Sequence, residues 1–506
     1  MSDSPRQSRL PSRSRRLWFS IGLVALSGCT LIVGKPVYLI LDAWLRDRHD
    51  QLPTPAGHVD DASRLNQTRV AEVWKIPADR QLAETQLQEL LQRARAGKLG
   101  VSIAGAKHSM GGHTIYPDGI VIDMLPFNRF ELDADRKVLR AGAGARWSEV
   151  IPYLDARGHS VAIMQSNNDF SVGGSLSVNC HGWQCRRAPI AESVVSFRLM
   201  KADGIIVTCS RAENAELFSL VLGGYGLFGI ILDAELQVVA NERYRPDAEV
   251  LDSSRYAARF KEKVDAGAGM AYGRLSIVPG ESFLKESILT VFRKSPCAPK
   301  DIPPLRELQM IGLRREVFRA QIGSVPGKEL RWKAEKKLGE TGQSKFVSRN
   351  QLLNEAADVY QEQNADRTDI LHEYFIPAER LEEFLTKARK IVPRHAVDLL
   401  NVTVRDLRED KDTFLRYADR DLFALVMLFN QPRTLAADET MRVFTGEMID
   451  AALECGGRYY LPYRLHATME QFRRAYPQAD AFFAMKRKYD PDGVFRNQFY
   501  LKYGMP

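Results

Sequence analysis

From residue 66 onward the hydrophobic positions switch between two periodicities. Gln81–Arg95 places Leu82, Leu87, Leu90 and Leu91 at helical spacing and predicts a helix with one apolar side. Val101–Ala104 is a short apolar run that stops at Gly105, and Gly119–Met124 is another; both read as strands. Trp147–Arg157 reads as a helix ended by Gly158. Val194–Met200 and Ile205–Cys209 flank Ala202-Asp203-Gly204, the pattern of a hairpin with a glycine in its turn. Gly229–Val239 is a long β-like run. Strands and helices alternate, so this region predicts an α/β or α+β domain ending near residue 242.

Beyond 245 the pattern changes. Residues 300–345 are charged and helical, with Pro303-Pro304 at their start. Leu371–Ile376, Leu399–Val404 and Phe423–Phe429 read as strands, with helical stretches at Ala378–Lys390 and Asp438–Glu454. The aromatic and basic end, Lys486–Tyr503, is expected to fold back onto the first domain. The predicted organisation is a targeting or anchoring segment at 1–45, a polar linker with Pro53 and Pro55 at 46–65, a first domain at 66–242, a second at 243–470, and a returning segment at 471–506. The chain's 506 residues suit two to four domains.

Charge narrows the picture. The net charge is +8, and residues 1–35 hold +5 of it: Arg6, Arg9, Arg13, Arg15, Arg16 and Lys35 against Asp3. The body is nearly neutral, which argues against nucleic acid as a partner. The tail precedes an uncharged apolar run, Leu17–Val33, and a second apolar stretch at Val37–Leu41. Charge followed by an apolar run has the form of an export signal. About 20 apolar residues span a bilayer, so this run is marginal as an anchor. Basic charge ahead of it would leave the N-terminus cytoplasmic and the body outside. Ser14-Arg15-Arg16-Leu17-Trp18-Phe19 is similar to a twin-arginine signal, and Leu26-Ser27-Gly28-Cys29 to a lipoprotein cleavage box. Retention as an anchor, cleavage and lipidation all stay open. The expected location is a bacterial inner membrane facing the periplasm, or the periplasm itself. The other cysteines, Cys180, Cys185, Cys209, Cys297 and Cys455, are odd in number and form no CxxC pair; they read as small apolar residues, and no metal site is expected.

The candidate chemistry lies in three glycine-dense segments: Gly105–His113 directly after a strand, Ser171–Gly182, and Gly223–Ile231. Glycine lets backbone N–H groups approach a pyrophosphate closely and tolerates positive φ. None of the three is a dinucleotide fingerprint. Gly224-Tyr225-Gly226-Leu227-Phe228-Gly229 matches its letters but runs into a β-like segment rather than a helix, and no Walker motif occurs.

Together, Gly-x-x-His-Ser at 105–109, Ser-Val-Gly-Gly-Ser-Leu at 171–176 and Gly-Gly-x-Gly-x-Phe-Gly-Ile-Ile at 223–231 resemble the vanillyl-alcohol-oxidase type of FAD enzymes, whose cofactor domain is named after p-cresol methylhydroxylase. Asp61–Val73 is similar to that family's entry strand, and Lys488–Asn497 to the tail of sugar-lactone and alditol oxidases and of an oxidase of a polyprenyl-phosphate pentose. The resemblance implies an α+β protein with a two-part FAD-binding domain of p-cresol-methylhydroxylase type and an α+β substrate (cap) domain, to which the basic and apolar N-terminus adds an expected membrane segment. It implies that Gly105, Ala106, Lys107, His108 and Ser109 wrap the FAD, with His108 at the position often bonded covalently to the flavin. Ser171, Gly173, Gly174, Ser175, Ser177, Gly182, Gly226, Gly229 and Asn497 join the expected cofactor set. Ile231 would offer its backbone to the adenine or ribose side, and His113 and His181 would hydrogen-bond.

On the substrate side, His372-Glu373-Tyr374-Phe375-Ile376-Pro377 resembles the Glu-Tyr-x-x-Pro strand of alditol oxidases and makes Glu373 a candidate. Asn401-Val402-Thr403-Val404-Arg405 resembles a strand where relatives carry Glu-x-Arg; Arg405 matches, but Thr403 stands in the Glu position. Residues two apart on a strand share a face, so Arg405 can aim at the flavin. Gly456–His466 lies where relatives carry a lysine and has none; Tyr463, Arg464 or His466 would handle the proton. The implied activity is oxidation of a CH–OH group of a sugar, polyol or aldonolactone by hydride transfer to flavin N5, with oxygen, a quinone or a cytochrome as electron acceptor. The alternatives are an oxidase of a lipid-linked sugar, a flavin reductase of sterol type, or an envelope flavin-binding protein without turnover.

Overall fold

In a computed structural model, the structure describes residues 34, 36–46, 53–307, 309–342 and 345–505. The apolar run 17–33, the twin-arginine pattern and Cys29 lie outside the described residues. No helix among the described residues is long and apolar enough to cross a membrane. Residues 36–46 are helical and bury Leu39 and Ala43 against Ala320.

The first domain holds two sheets. In the smaller, Ile120–Asp123 lies between Glu72–Lys75 and Val101–Ala104, all parallel. The larger is antiparallel, ordered Ile206–Ser210, Val194–Met200, Ile230–Ala240, Val138–Gly142, Phe130–Asp133, with His159–Val161 also paired to Ile230–Ala240. The expected hairpin forms, with its second strand beginning one residue later than the sequence pattern suggested. The first helix of this domain, Arg80–Ala96, starts where Asp79 accepts from the Leu82 amide at 2.9 Å and stops at Gly97. It buries Ala83, Leu87, Leu90, Leu91 and Ala94, while Leu82, expected on the apolar side, is exposed. Position 82 falls one residue off the stripe that 83, 87, 90 and 94 share.

The second domain is built on one eight-stranded antiparallel sheet, ordered Val347–Ser348, Arg243–Asp252, Glu286–Lys294, Ala268–Leu275, Asp398–Leu407, Leu422–Pro432, Arg367–Ile376, Arg458–Tyr459. Helices Leu381–Ile391 and Leu435–Glu454 lie against one another and bury their apolar faces in the core. The charged stretch 300–345 supplies helices Ile311–Arg319 and Val325–Gly342. Strand alternation sends Asn401, Thr403 and Arg405 to one face and the buried Val402 and Val404 to the other.

The second half of the expected linker is not a linker. His58–Val59 pairs with Thr68–Arg69, and Asp61 and Ser63 are buried. The Asp61 carboxylate accepts from Ser63 N, Ser63 Oγ, Asn66 Nδ2 and Gly112 N at 2.6–3.0 Å, which ties this segment to the Gly105–His113 loop. The C-terminal segment returns to the first domain. Val101 N donates to Val494 O at 2.7 Å and Arg496 N to Val101 O at 2.9 Å, so residues 494–496 run alongside the small parallel sheet. The fully buried Asp490 accepts from Val494 N and Phe495 N and is paired with the equally buried Lys486.

Candidate functional site

The two domains enclose a cavity of about 1770 Å³. Single small-molecule pockets run to roughly 1,000 Å³, so this volume has room for a dinucleotide and a substrate together. One wall is made by the three glycine segments. Gly105 leaves its strand at the cavity edge, and a Cβ there would lie 2.1 Å from Ser171 Oγ. Ser171 caps the short helix Val172–Ser177, accepting from Gly174 N at 3.3 Å, and also receives Ala106 N at 3.4 Å. The third segment docks on that helix through Gly223 N to Leu176 O and Tyr225 N to Ser177 O. Tyr225 and Gly226 have φ of +54° and +73°, a left-handed turn that glycine accepts freely and tyrosine only under constraint.

Gly105, Ala106, Lys107, His108, Ser109, His113, Ser171, Gly173, Gly174, Ser177, His181, Gly226, Gly229 and Ile231 all line the cavity. Five of the expected cofactor or catalytic residues do not. Ser175 is fully buried, accepting from Trp147 Nε1 and donating to Gln165; it sits half a helical turn away from Gly173 and Ser177 and so faces the core. Gly182 is pressed against Met164 O. Asn497 lies behind the loops and holds two of them together, donating to His113 O and Tyr225 O at 2.9 Å each. His466 is buried in a separate network with Thr445 and Asp438, in which burial lowers its pKa. Arg464 also points away, to Asn66 and Asp438.

The opposite wall carries the reactive groups. Leu371 and Glu373 face the cavity from strand Arg367–Ile376. The Glu373 carboxylate meets His181 Nε2 at 2.6 Å and accepts from Tyr463 Oη at 3.1 Å. Burial alone would raise Glu373; the adjacent His181, Arg405 and Tyr463 outweigh it and hold the carboxyl below its usual range. Tyr463 is pushed well up by burial and by Glu373, so it stays a donor. Arg405 reaches Ser166 Oγ at 2.6 Å. His108 stacks on Phe170 with centroids 4.0 Å apart, and burial lowers its pKa, which favours the neutral ring.

The cavity fits a polar ligand of FAD type. Ser109 Oγ, Asn167 Nδ2, His181 Nδ1, Trp183 Nε1 and Arg405 Nε are buried on its walls without a hydrogen-bond partner among the described residues. Buried polar atoms are normally satisfied, so a cluster of orphans around one cavity marks a ligand's place. The described residues contain no group of His, Cys, Asp and Glu able to hold a metal.

Several lining residues escaped the sequence reading: Ser166, Phe170, Trp183, Arg274, Arg331 and Glu335. Only the i,i+4 spacing of Arg331 and Glu335 left a local trace. Asp61, which steadies the histidine loop from behind, had one as well, since Asp61-Ala62-Ser63 is the pattern of an Asx turn.

This geometry defines a two-domain flavoprotein, with a glycine-walled cofactor half facing an acid–base half. Residues 83–210 match the FAD binding domain family, and residues 335–503 match D-arabinono-1,4-lactone oxidase. The chain therefore carries an FAD-binding domain of p-cresol-methylhydroxylase type joined to a domain of the D-arabinono-1,4-lactone oxidase family. It is 30% identical to L-gulonolactone oxidase of Mus musculus over 181 residues, 36% of this chain and 39% of that protein. It is 28% identical to cytokinin dehydrogenase 2 of Oryza sativa subsp. japonica over 218 residues, 40% of this chain and 39% of the other. The chain thus spans about two-fifths of the length of each of these relatives. Decaprenylphosphoryl-beta-D-ribose oxidase of Mycolicibacterium smegmatis is 24% identical over 437 residues, 81% of this chain and 91% of that protein.

Proposed function

We propose that the protein is an FAD-dependent oxidoreductase acting on a CH–OH carbon of a sugar, polyol or aldonolactone. The observation that carries this reading is the Glu373–His181–Tyr463 cluster, set across one cavity from the glycine loops. When bound, FAD would supply the hydride acceptor. Gly105, Ser109, Gly173, Gly174, Ser177, Gly226 and Gly229 would hold it, largely through backbone. Glu373, kept ionised, accepts the hydroxyl proton directly or through Tyr463. Arg405 stabilises negative charge that develops beside it. His108, stacked on Phe170 and kept neutral by burial, would be the residue that bonds covalently to the flavin. The presence of an ionised acid beside a phenol donor favours turnover over mere flavin storage.

A second reading, oxidation of a lipid-linked sugar, draws support from apolar residues in the cavity lining, Pro246, Ala248, Ile288, Phe292 and Leu338. The match along most of the decaprenylphosphoryl-beta-D-ribose oxidase also supports it.

The test is anaerobic bleaching of the purified protein's flavin by a panel of polyols, aldonolactones and glycolipids. Bleaching by at least one CH–OH donor is expected; flavin that no donor reduces would refute turnover. Colour retained through acid precipitation in the parent and lost in His108→Ala would establish the covalent bond.

A further inference from the structure

Arg405 marks the cofactor end of its strand, through Ser166 and Glu373. Four residues back, at Asn401, the same strand face meets a second charged group. Arg274 donates Nη1 to Thr403 Oγ1 at 2.9 Å and pairs through Nη2 with Glu335 at 3.2 Å. Arg331, one helical turn before Glu335, contacts the same carboxylate at 2.8 Å and donates to Leu400 O at 3.0 Å. Two guanidinium groups thus share one carboxylate, and all three side chains line the cavity. Burial would raise Glu335, but Arg274 and Arg331 hold it at about 2, so it is ionised. Arginine stays protonated under all ordinary conditions. The group therefore carries a net +1. The neighbouring Arg314 and Glu355, 3.9 Å apart, cancel one another, and Glu355 also accepts from Tyr360 Oη at 2.6 Å. An uncompensated cation facing an enclosed space is costly unless an anion joins it.

We propose that Arg274 and Arg331 form an anion subsite that recognises an acidic substituent, carboxylate or phosphoryl, on the substrate. This rests on the reading of Glu373 and Arg405 as the reacting end. Thr403 and Arg405 are two strand residues apart, roughly 7 Å, so the acidic group sits about that far or further from the reacting carbon. Thr403 holds Arg274 in place. Glu335 orients both guanidiniums and tunes the site by partial neutralisation.

The experiment uses the FAD-loaded full chain, so that the cofactor fills its own phosphate-binding loops. Calorimetry with inorganic phosphate reads the subsite without turnover. Flavin bleaching then compares gluconate, glucose 6-phosphate and neutral glucitol, which separates carboxylate from phosphoryl recognition. An acidic probe should bind at least tenfold tighter than the neutral one, as expected for charge-assisted hydrogen bonds. Arg331→Met should weaken the acidic probe about 10–100-fold without changing flavin content, and Arg331→Lys should recover part of the loss. Glu335→Gln should tighten phosphate binding, because it raises the local charge; a triad that merely holds the helix on the sheet predicts weakening. Equal affinity for acidic and neutral probes, or weaker phosphate binding in Glu335→Gln, would overturn the subsite. A protein that keeps its flavin yet fails these tests loses the subsite alone, whereas one that takes up no flavin loses the oxidoreductase reading.

Discussion

Replacing Glu373 by glutamine tests the proposed chemistry most directly. The side chain is 2% exposed, and both carboxylate oxygens are engaged, one by His181 and the other by Tyr463. Glutamine keeps the shape. Its oxygen can still accept from Tyr463, and its NH₂ can face His181 Nε2. Two charge-assisted hydrogen bonds become neutral ones, a change of about 1–3 kcal/mol in stability. The chemical effect is larger, because an amide cannot take a proton. A positioned base contributes roughly 10²–10⁴ in rate, which is about 3–5 kcal/mol of barrier. The assay is stopped-flow reduction of the flavin by the best donor of the panel, beside urea unfolding of both proteins. The carboxyl's depressed pKa fixes the sign of the pH dependence. Its contribution to stability is complete above the ordinary carboxyl value of 4.5, and is lost as pH falls through the folded value. The acid limb of the bleaching rate should lie below that same value and disappear in Glu373→Gln. Reduction at the parent rate, with the acid limb intact, would refute the assignment of Glu373 as the proton acceptor.

Asp61→Asn turns an amide NH₂ toward two donors, Gly112 N and Asn66 Nδ2, now at 2.8 and 2.7 Å from the carboxylate. It should cost about 2–4 kcal/mol in urea unfolding and speed amide exchange at Gly112. Gly105→Ala drives a methyl to within 2.1 Å of Ser171 Oγ, displacing the cap of helix Val172–Ser177. A loss of about 1 kcal/mol in stability and about tenfold in FAD affinity is expected from fluorescence titration; unchanged affinity would mean that the loop adjusts freely. Glu335, held at about 2 against an ordinary 4.5, should contribute on the order of 3 kcal/mol above pH 4.5, lost as pH falls toward 2. The difference between parent and Glu335→Gln in acid denaturation measures it.

What the sequence determined is what backbone and period can encode locally. The three glycine segments announce themselves because a backbone that must approach a phosphate or turn left-handed tolerates little else, and the cavity wall is built from them. Glu373 was legible through the resemblance of His372–Pro377 to the Glu-Tyr-x-x-Pro strand of alditol oxidases, and Arg405 because strand alternation fixes which residues share a face. The helix Arg80–Ala96 and the hairpin at 194–210 follow their periodicities to within a residue or two. Only the tertiary structure decided which faces meet. It turned Ser175 to the core and His466 to Asp438, set Gly182 against Met164, and made Asn497 a brace rather than a lining residue. It converted half of an apparent linker into the anchor of the histidine loop, because Asp61 finds Gly112 only when the chain closes. It also gathered Arg274, Thr403 and Glu335 from two strands and a helix, up to 129 positions apart, into one charged group. Such a constellation leaves no local pattern, because its energy comes from charges brought together across a shared cavity rather than from any one segment's preference.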